Sequence, residues 1–188
     1  MELDLQLPRS KNDFKISYLP KSDEEFRIAF RNILIETIED SLLADRGKDL
    51  MIVVGTPAKK GELLNLTSYE LVKDVASNIA EKFGYHIFDI VIKDNRRNVP
   101  KINSIRIVNH QQVRGLSASH VIVLDLDLLE FWCKDDPINH PPMRNLGYVS
   151  LSRSRASTVV CMRNQIENEA ENFLNQSLEH YILKDVGK

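Results

Sequence analysis

The chain has few of the residues that build specialised architectures. Only two of its 188 residues are cysteines, Cys133 and Cys161. They stand in no CxxC or Cys/His spacing, which removes a disulfide framework and a sequence-local structural zinc site. Both are expected as reduced thiols. No apolar run approaches the roughly 18–20 residues of a membrane-spanning helix, and the opening Met1-Glu2-Leu3-Asp4 lacks the basic and apolar regions of a signal peptide. The expectation is an intracellular protein, cytoplasmic or nuclear, with no membrane partner. Neither sign of charge dominates: 25 Lys+Arg against 27 Asp+Glu give a formal net charge of -2. Without a basic excess, any contact with nucleic acid has to be local.

Glycine is scarce as well, and its placement excludes a further class. A self-contained P-loop enzyme needs G-x-x-x-x-G-K-[ST], whose backbone amides and Lys surround the phosphates. Among the seven glycines only Gly47 and Gly187 precede a lysine, and Gly47 has Leu42 five positions before it and Asp49 after the lysine. Walker A is absent. The five histidines are scattered and no Ser, Cys or His stands in a recognisable triad pattern, so hydrolase chemistry has no support in sequence spacing.

What remains is ordinary globular material, 43% hydrophobic and 28% charged, in one domain with a sizeable core. Phe14 to Tyr18 alternates weakly as a short strand. Ser22-Asp23-Glu24-Glu25 is a capping box that opens a helix carrying Phe26, Phe30, Ile33, Leu34, Ile38 and Leu42 at helical spacing up to Gly47. Leu50 to Val54 is a continuous apolar run stopped by Gly55-Thr56-Pro57, hence a buried strand. Thr67 and Glu70 repeat the capping box before a helix with Leu71, Val72, Val75, Ile79 and Phe83, closed by Gly84. His86 to Ile92, Ile105 to Val108 and Val121 to Leu124 read as strands. Residues 126–142 read as an insertion or long loop, Met143 to Ser154 as helix, Thr158 to Met162 as strand, and a final amphipathic helix carries Ile166, Ala170, Phe173, Leu174 and Tyr181. Strands alternating with helices favour an α/β domain with a largely parallel sheet, because parallel neighbours need crossovers. Asp125, which ends an apolar strand, could bind magnesium or cap a neighbouring segment.

Two blocks carry the functional signal. The first is Ile107-Val108-Asn109-His110-Gln111-Gln112-Val113-Arg114-Gly115-Leu116-Ser117 ahead of the Val121 strand. The second is Leu146-Gly147-Tyr148-Val149-Ser150-Leu151-Ser152-Arg153-Ser154-Arg155. Together they resemble motifs V and VI of superfamily 1 helicases, of both the UvrD/Rep type and the nonsense-mediated-decay type. Motif V there reads approximately T-x-H/D-x-x-K/Q-G-L/R-E and motif VI Y/N-V-A/G-L-T-R-A. Ile52-Val53-Val54-Gly55-Thr56-Pro57 looks like the family's strand ending in T-P-Y, and the ordered set spans most of residues 22–162.

The resemblance implies a RecA-like C-terminal (2A) motor domain, one of two that sandwich ATP while single-stranded DNA or RNA lies across both. Arg153 takes the place of the motif VI arginine that reaches the γ-phosphate, where a planar guanidinium stabilises the transferring phosphoryl group. Gly115 would approach the same phosphate with its bare backbone, and Arg155 would support Arg153 or pair with an acidic neighbour. Thr56, Asn109 and Gln111 match positions that touch the nucleic-acid backbone. The sequence departs from the pattern at Ser117, where the family has a ribose-binding Glu, at Ala58, where an aromatic follows Thr-Pro, and at Asn109, which replaces Thr. Ser152 for Thr and Ser154 for Ala are conservative changes. The N-terminal RecA-like domain with Walker A is expected to lie outside this chain, in cis or in trans. ATP with Mg2+ is then expected as cofactor only when that domain completes the site, with none for the isolated chain, and no metal site of its own. The rival readings are a catalytically inactive helicase-like module that binds nucleic acid or protein, and a small-molecule enzyme built on a parallel sheet.

Overall fold

The computed structural model describes residues 14–43, 49–55, 68–92, 95, 100, 103–126 and 143–163. Thr56, Ala58, Thr67, the expected insertion beyond Leu126 and the expected final helix lie outside the described residues. The elements are β1 (Phe14–Tyr18), α1 (Asp23–Leu43), β2 (Leu50–Val54), α2 (Tyr69–Phe83), β3 (His86–Asp89), β4 (Ser104–Asn109), β5 (Ala118–Leu124), α3 (Met143–Leu151) and β6 (Ser154–Met162). The six strands form one sheet in the order β1-β6-β5-β2-β4-β3, and every pairing is parallel. The expected α/β domain with a parallel sheet is therefore the observed one. Among the described residues no helix is long and apolar enough to cross a membrane.

The central strands β2 and β5 are buried along their whole length because both faces are covered. In β2, Leu50, Ile52 and Val54 join the core under α1 and α2, while Met51 and Val53 face a second core beneath α3 and Val113. All five β2 residues and all seven of β5 are buried. On α1 the buried stripe is Phe26, Phe30, Leu34 and Ile38, none more than 1% exposed. Their spacing of four places them on one face of the helix. Truncating one of them, such as Leu34→Ala, should cost about 2–5 kcal/mol. The expected cap is present, since Ser22 Oγ accepts the Glu25 N–H at 3.3 Å, and Asp23, Glu24 and Glu25 fill a first turn whose dipole favours negative charge.

Helix α2 departs from expectation at its start. Its N-cap is Ser68, whose side chain makes no capping bond. Its end follows expectation: Gly84 at φ 71 occupies the left-handed region that glycine tolerates, its amide donating to the last turn of the helix.

The other departure is at β6. The helical pattern predicted from Met143 to Ser154 stops at Leu151, and the strand begins at Ser154 instead of Thr158. Ser154 and Thr158 look too polar for a core strand. Buried on the same face, however, their hydroxyls bond each other at 2.7 Å, which removes the cost of burying them. Ser154 is paired with Ala118 of β5, and the Ala118 amide donates to the Arg153 carbonyl at 3.0 Å.

Candidate functional site

Parallel strands gather the residues of interest at two opposite edges of the sheet. The ends of β2, β4 and β5 form one edge, where Gly55, Asn109 and Asp125 follow or end their strands. The starts of β2, β5 and β6 form the other, where Asp49, Ser117 and Arg153 precede theirs.

The strand-end edge is held by buried carboxylates. Asp125 is 3% exposed. Its Oδ2 accepts the amides of Gly55 (2.8 Å) and Ser68 (3.0 Å), and its Oδ1 accepts the Ser68 hydroxyl at 2.6 Å. The hydroxyl that does not cap α2 is thus spent on Asp125. Asp125 has φ 58, the left-handed region, where Asp is among the few side chains tolerated. This carboxylate clips both ends of segment 56–67, which contains Thr56, and its observed role is the capping one. Farther along the same edge, at the end of β3, Asp89 accepts the Tyr69 phenol at 2.6 Å and lies 3.6 Å from Lys73 Nζ. Burial, followed by the hydrogen bond to Asp89, pushes the Tyr69 phenol far above its ordinary range.

Asn109 ends β4 and is buried. Its Oδ1 accepts the amides of Gln111 (3.1 Å) and Gln112 (2.9 Å), while its own amide donates to Gln112 Oε1 at 3.1 Å. It is a turn-former, and Gln111 is the exposed member of the pair. From this turn, residues 110–117 return to the other edge over the second core, anchored by fully buried Val113.

His110 opens that return and is 1% exposed. Its amide donates to Val54 O at 3.3 Å. Its ring nitrogens meet Leu124 O at 2.8 Å through Nε2 and Ser150 Oγ at 2.8 Å through Nδ1. Burial lowers its pKa to about 4, against a smaller opposite effect of the Leu124 carbonyl, so the ring is neutral near pH 7 and carries one proton. A carbonyl can only accept. The proton therefore sits on Nε2, and the single proton of the Ser150 hydroxyl is shared between Nδ1 and Leu146 O, which lies 2.9 Å from Oγ. Ser150 is fully buried and is a third departure from the motif VI pattern, which has Ala or Gly there.

At the strand-start edge Gly115 has φ 76, with open space where a Cβ would stand. Its conformation, not crowding, is what calls for glycine. Arg153 is half-buried in the turn after α3 rather than on the helix. Its Nε donates to Val149 O at 2.8 Å and its Nη2 to Ser152 Oγ at 3.1 Å, so it caps the helix C-terminus with positive charge. Among the described residues it forms no ion pair. Arg155 lies on β6 and follows the acidic-neighbour reading: Nη2 meets Asp49 Oδ2 at 2.9 Å and Nη1 donates to Ser117 Oγ at 3.1 Å. The other oxygen of Asp49 accepts Arg106 Nη2 at 2.6 Å, and the same nitrogen donates to Ser117 O at 2.6 Å. Asp49 and Arg106 carry no motif signal, and only the register of β2, β4 and β5 brings them to this edge.

Six parallel strands between two helical layers, with a short return from β4 to β5, define an α/β domain consistent with a RecA-like fold. The fold is similar to the crystal structure of the C-terminal domain of a possible DNA helicase from Lactobacillus plantarum WCFS1. The TM-score is 0.52 at 15% sequence identity, over 93% of this chain and 88% of that one. At that identity the likeness speaks for fold alone. No protein-family model matches the sequence, and no curated protein matches it.

Proposed function

We propose that the chain is the C-terminal motor domain of an ATP-dependent superfamily 1 DNA or RNA helicase. In this reading Arg153 is the arginine finger, Gly115 and Arg155 flank the nucleotide, and Thr56, Asn109 and Gln111 belong to the nucleic-acid track. The observation that carries it is the division of the motif residues between two edges. Gly115 and Arg153 precede adjacent parallel strands, whereas Asn109 and Gln111 lie where β4 ends. A domain that meets nucleotide along one edge and a nucleic-acid strand along the other has the layout a translocating motor needs. The similarity in fold to a helicase C-terminal domain supports the same reading.

The chemistry asked of Arg153 is electrostatic. Its guanidinium rests on a helix carbonyl and a hydroxyl, both weaker partners than a phosphoryl oxygen, which would draw it outward. Arg155, already paired with Asp49, stiffens the edge. Alone the chain lacks Walker A and hydrolyses no ATP in this reading.

The test combines the chain with a Walker A-bearing RecA-like domain of its own kind and measures nucleic-acid-stimulated ATP hydrolysis. Stimulated turnover that depends on Arg153 supports the motor. Robust turnover by the chain alone, or turnover indifferent to Arg153, ends it. A helicase-like binding module without a part in hydrolysis is favoured by one observation, that both the hydroxyl and the carbonyl of Ser117 are engaged by arginines of this chain.

A further inference from the structure

His110 is tied to three segments at once. Its amide holds Val54 at the end of β2, its Nε2 holds Leu124 at the end of β5, and its Nδ1 holds Ser150 in α3. It follows Asn109 directly, and Ser150 precedes Arg153 by less than one helical turn. Neither His110 nor Ser150 touches solvent appreciably, at 1% and 0% exposure. We propose that the His110–Ser150 hydrogen bond is a strut that sets the position of Arg153 and makes it respond to what occupies the β4 end of the sheet. His110 and Ser150 are thereby positioning residues.

The physical basis is that the strut joins two otherwise weakly connected pieces. The turn at 109–112 is held by its own Asx bonds, and Gln112 Nε2 donates to Ile90 O just past β3 at 3.1 Å. Helix α3 is short and bears on the sheet through Leu146, Leu151 and Val149, contacts that resist separation but allow sliding. A hydrogen bond is directional in a way apolar packing is not, so through the ring a displacement of the turn becomes a displacement of Ser150. Val149 and Ser152, the two residues that hold the Arg153 guanidinium, flank Ser150 and Leu151. Motion of that turn moves the guanidinium with it.

The inference rests on the nucleic-acid edge proposed above, and the experiment separates the two. The full chain, labelled with 15N, is titrated with oligothymidylate and oligouridylate while the Arg153 Nε–H resonance is followed and affinity is measured by fluorescence anisotropy. In the wild-type chain the Nε–H signal should move on saturation. In Ser150→Ala the oligonucleotide should bind within twofold of wild type while the movement falls about fivefold or more, and Ser150→Thr, which keeps the hydroxyl, should restore it. Binding with an Arg153 signal that does not move in wild type, or moves equally in Ser150→Ala, overturns the strut and leaves the motor reading standing. Absence of any oligonucleotide binding overturns the nucleic-acid edge, and the strut with it. Because Ala is a good helix former, Ser150→Ala should fold, and its amide spectrum checks this.

Discussion

Replacing Asp125 by alanine should be among the most damaging single changes to this fold. The side chain is 3% exposed and accepts two backbone amides and one hydroxyl, at 2.8, 3.0 and 2.6 Å. With alanine, the Gly55 and Ser68 amides lose their acceptor. Each unsatisfied buried donor costs about 1–3 kcal/mol. The Ser68 hydroxyl can rotate toward another acceptor, so it adds less. Alanine also tolerates the left-handed backbone at φ 58 poorly, about 1 kcal/mol more. The total is about 3–7 kcal/mol, a large part of the roughly 5–15 kcal/mol that holds a domain together. Asp125→Asn is the informative control. Its amide oxygen can still accept from both backbone amides, its NH2 can face a reoriented Ser68 hydroxyl, and Asn accepts the left-handed region. It should lose only the charge-assisted part, about 1–2 kcal/mol. Urea unfolding followed by circular dichroism measures both variants. Equal losses for Ala and Asn, or a loss under about 1 kcal/mol for Ala, would refute the account of Asp125 as the clip of segment 56–67.

Other outcomes follow from the same geometry. His110 has a folded pKa of about 4 against 6.5 unfolded, so between those values the unfolded chain binds more protons. Its contribution is therefore complete above pH 6.5 and declines as pH falls toward 4, by about 3 kcal/mol; the difference in urea stability between wild type and His110→Gln should show that slope. Under the proposed motor reading, Arg153→Ala should cut turnover of the chain combined with a Walker A-bearing domain by roughly 10³-fold with little change in thermal midpoint. Arg155→Ala, which breaks a half-exposed pair with Asp49, should lower stability by at most about 1 kcal/mol and spare turnover more. Burial pushes the Cys161 thiol up to about 12, so native alkylation at pH 8 followed by peptide mapping should leave Cys161 unmodified until the chain is unfolded.

The sequence made the layering legible wherever a residue's fate depends on its near neighbours. Runs such as Leu50–Val54 and Val121–Leu124 announced strands buried on two faces, and the stripe from Phe26 to Ile38 announced a helix. Capping chemistry was legible at Ser22 and Gly84 but not at Ser68, whose hydroxyl is drawn away by a carboxylate 57 positions along the chain. The same limit hid Asp49, Arg106, His110 and Ser150. Each is a polar residue whose partner is supplied by strand order, and nothing in local spacing announces a bond from His110 to a residue 40 positions away. The first residues of β6 were concealed differently: Ser154 and Thr158 satisfy one another, so a core-facing strand begins with the composition of a loop. Of the residues that the resemblance singled out, Gly115 and Arg153 lie ahead of adjacent strands at one edge, and Asn109 bonds within its own turn.

The partnership of β1 with β6 bears on how the molecule is made. Phe14 pairs with Thr158 and Tyr18 with Met162, so β1, which precedes the other described strands in the chain, has no neighbour among them until β6 has emerged. Until then β5, buried along its whole length in the finished sheet, also lacks one flank. A nascent chain stalled before Ser154 would hold two unfilled strand positions side by side. Closure of the described sheet thus waits on one late strand, and a pause in translation upstream of that point would expose the nascent protein to capture by chaperones or by other unpaired strands.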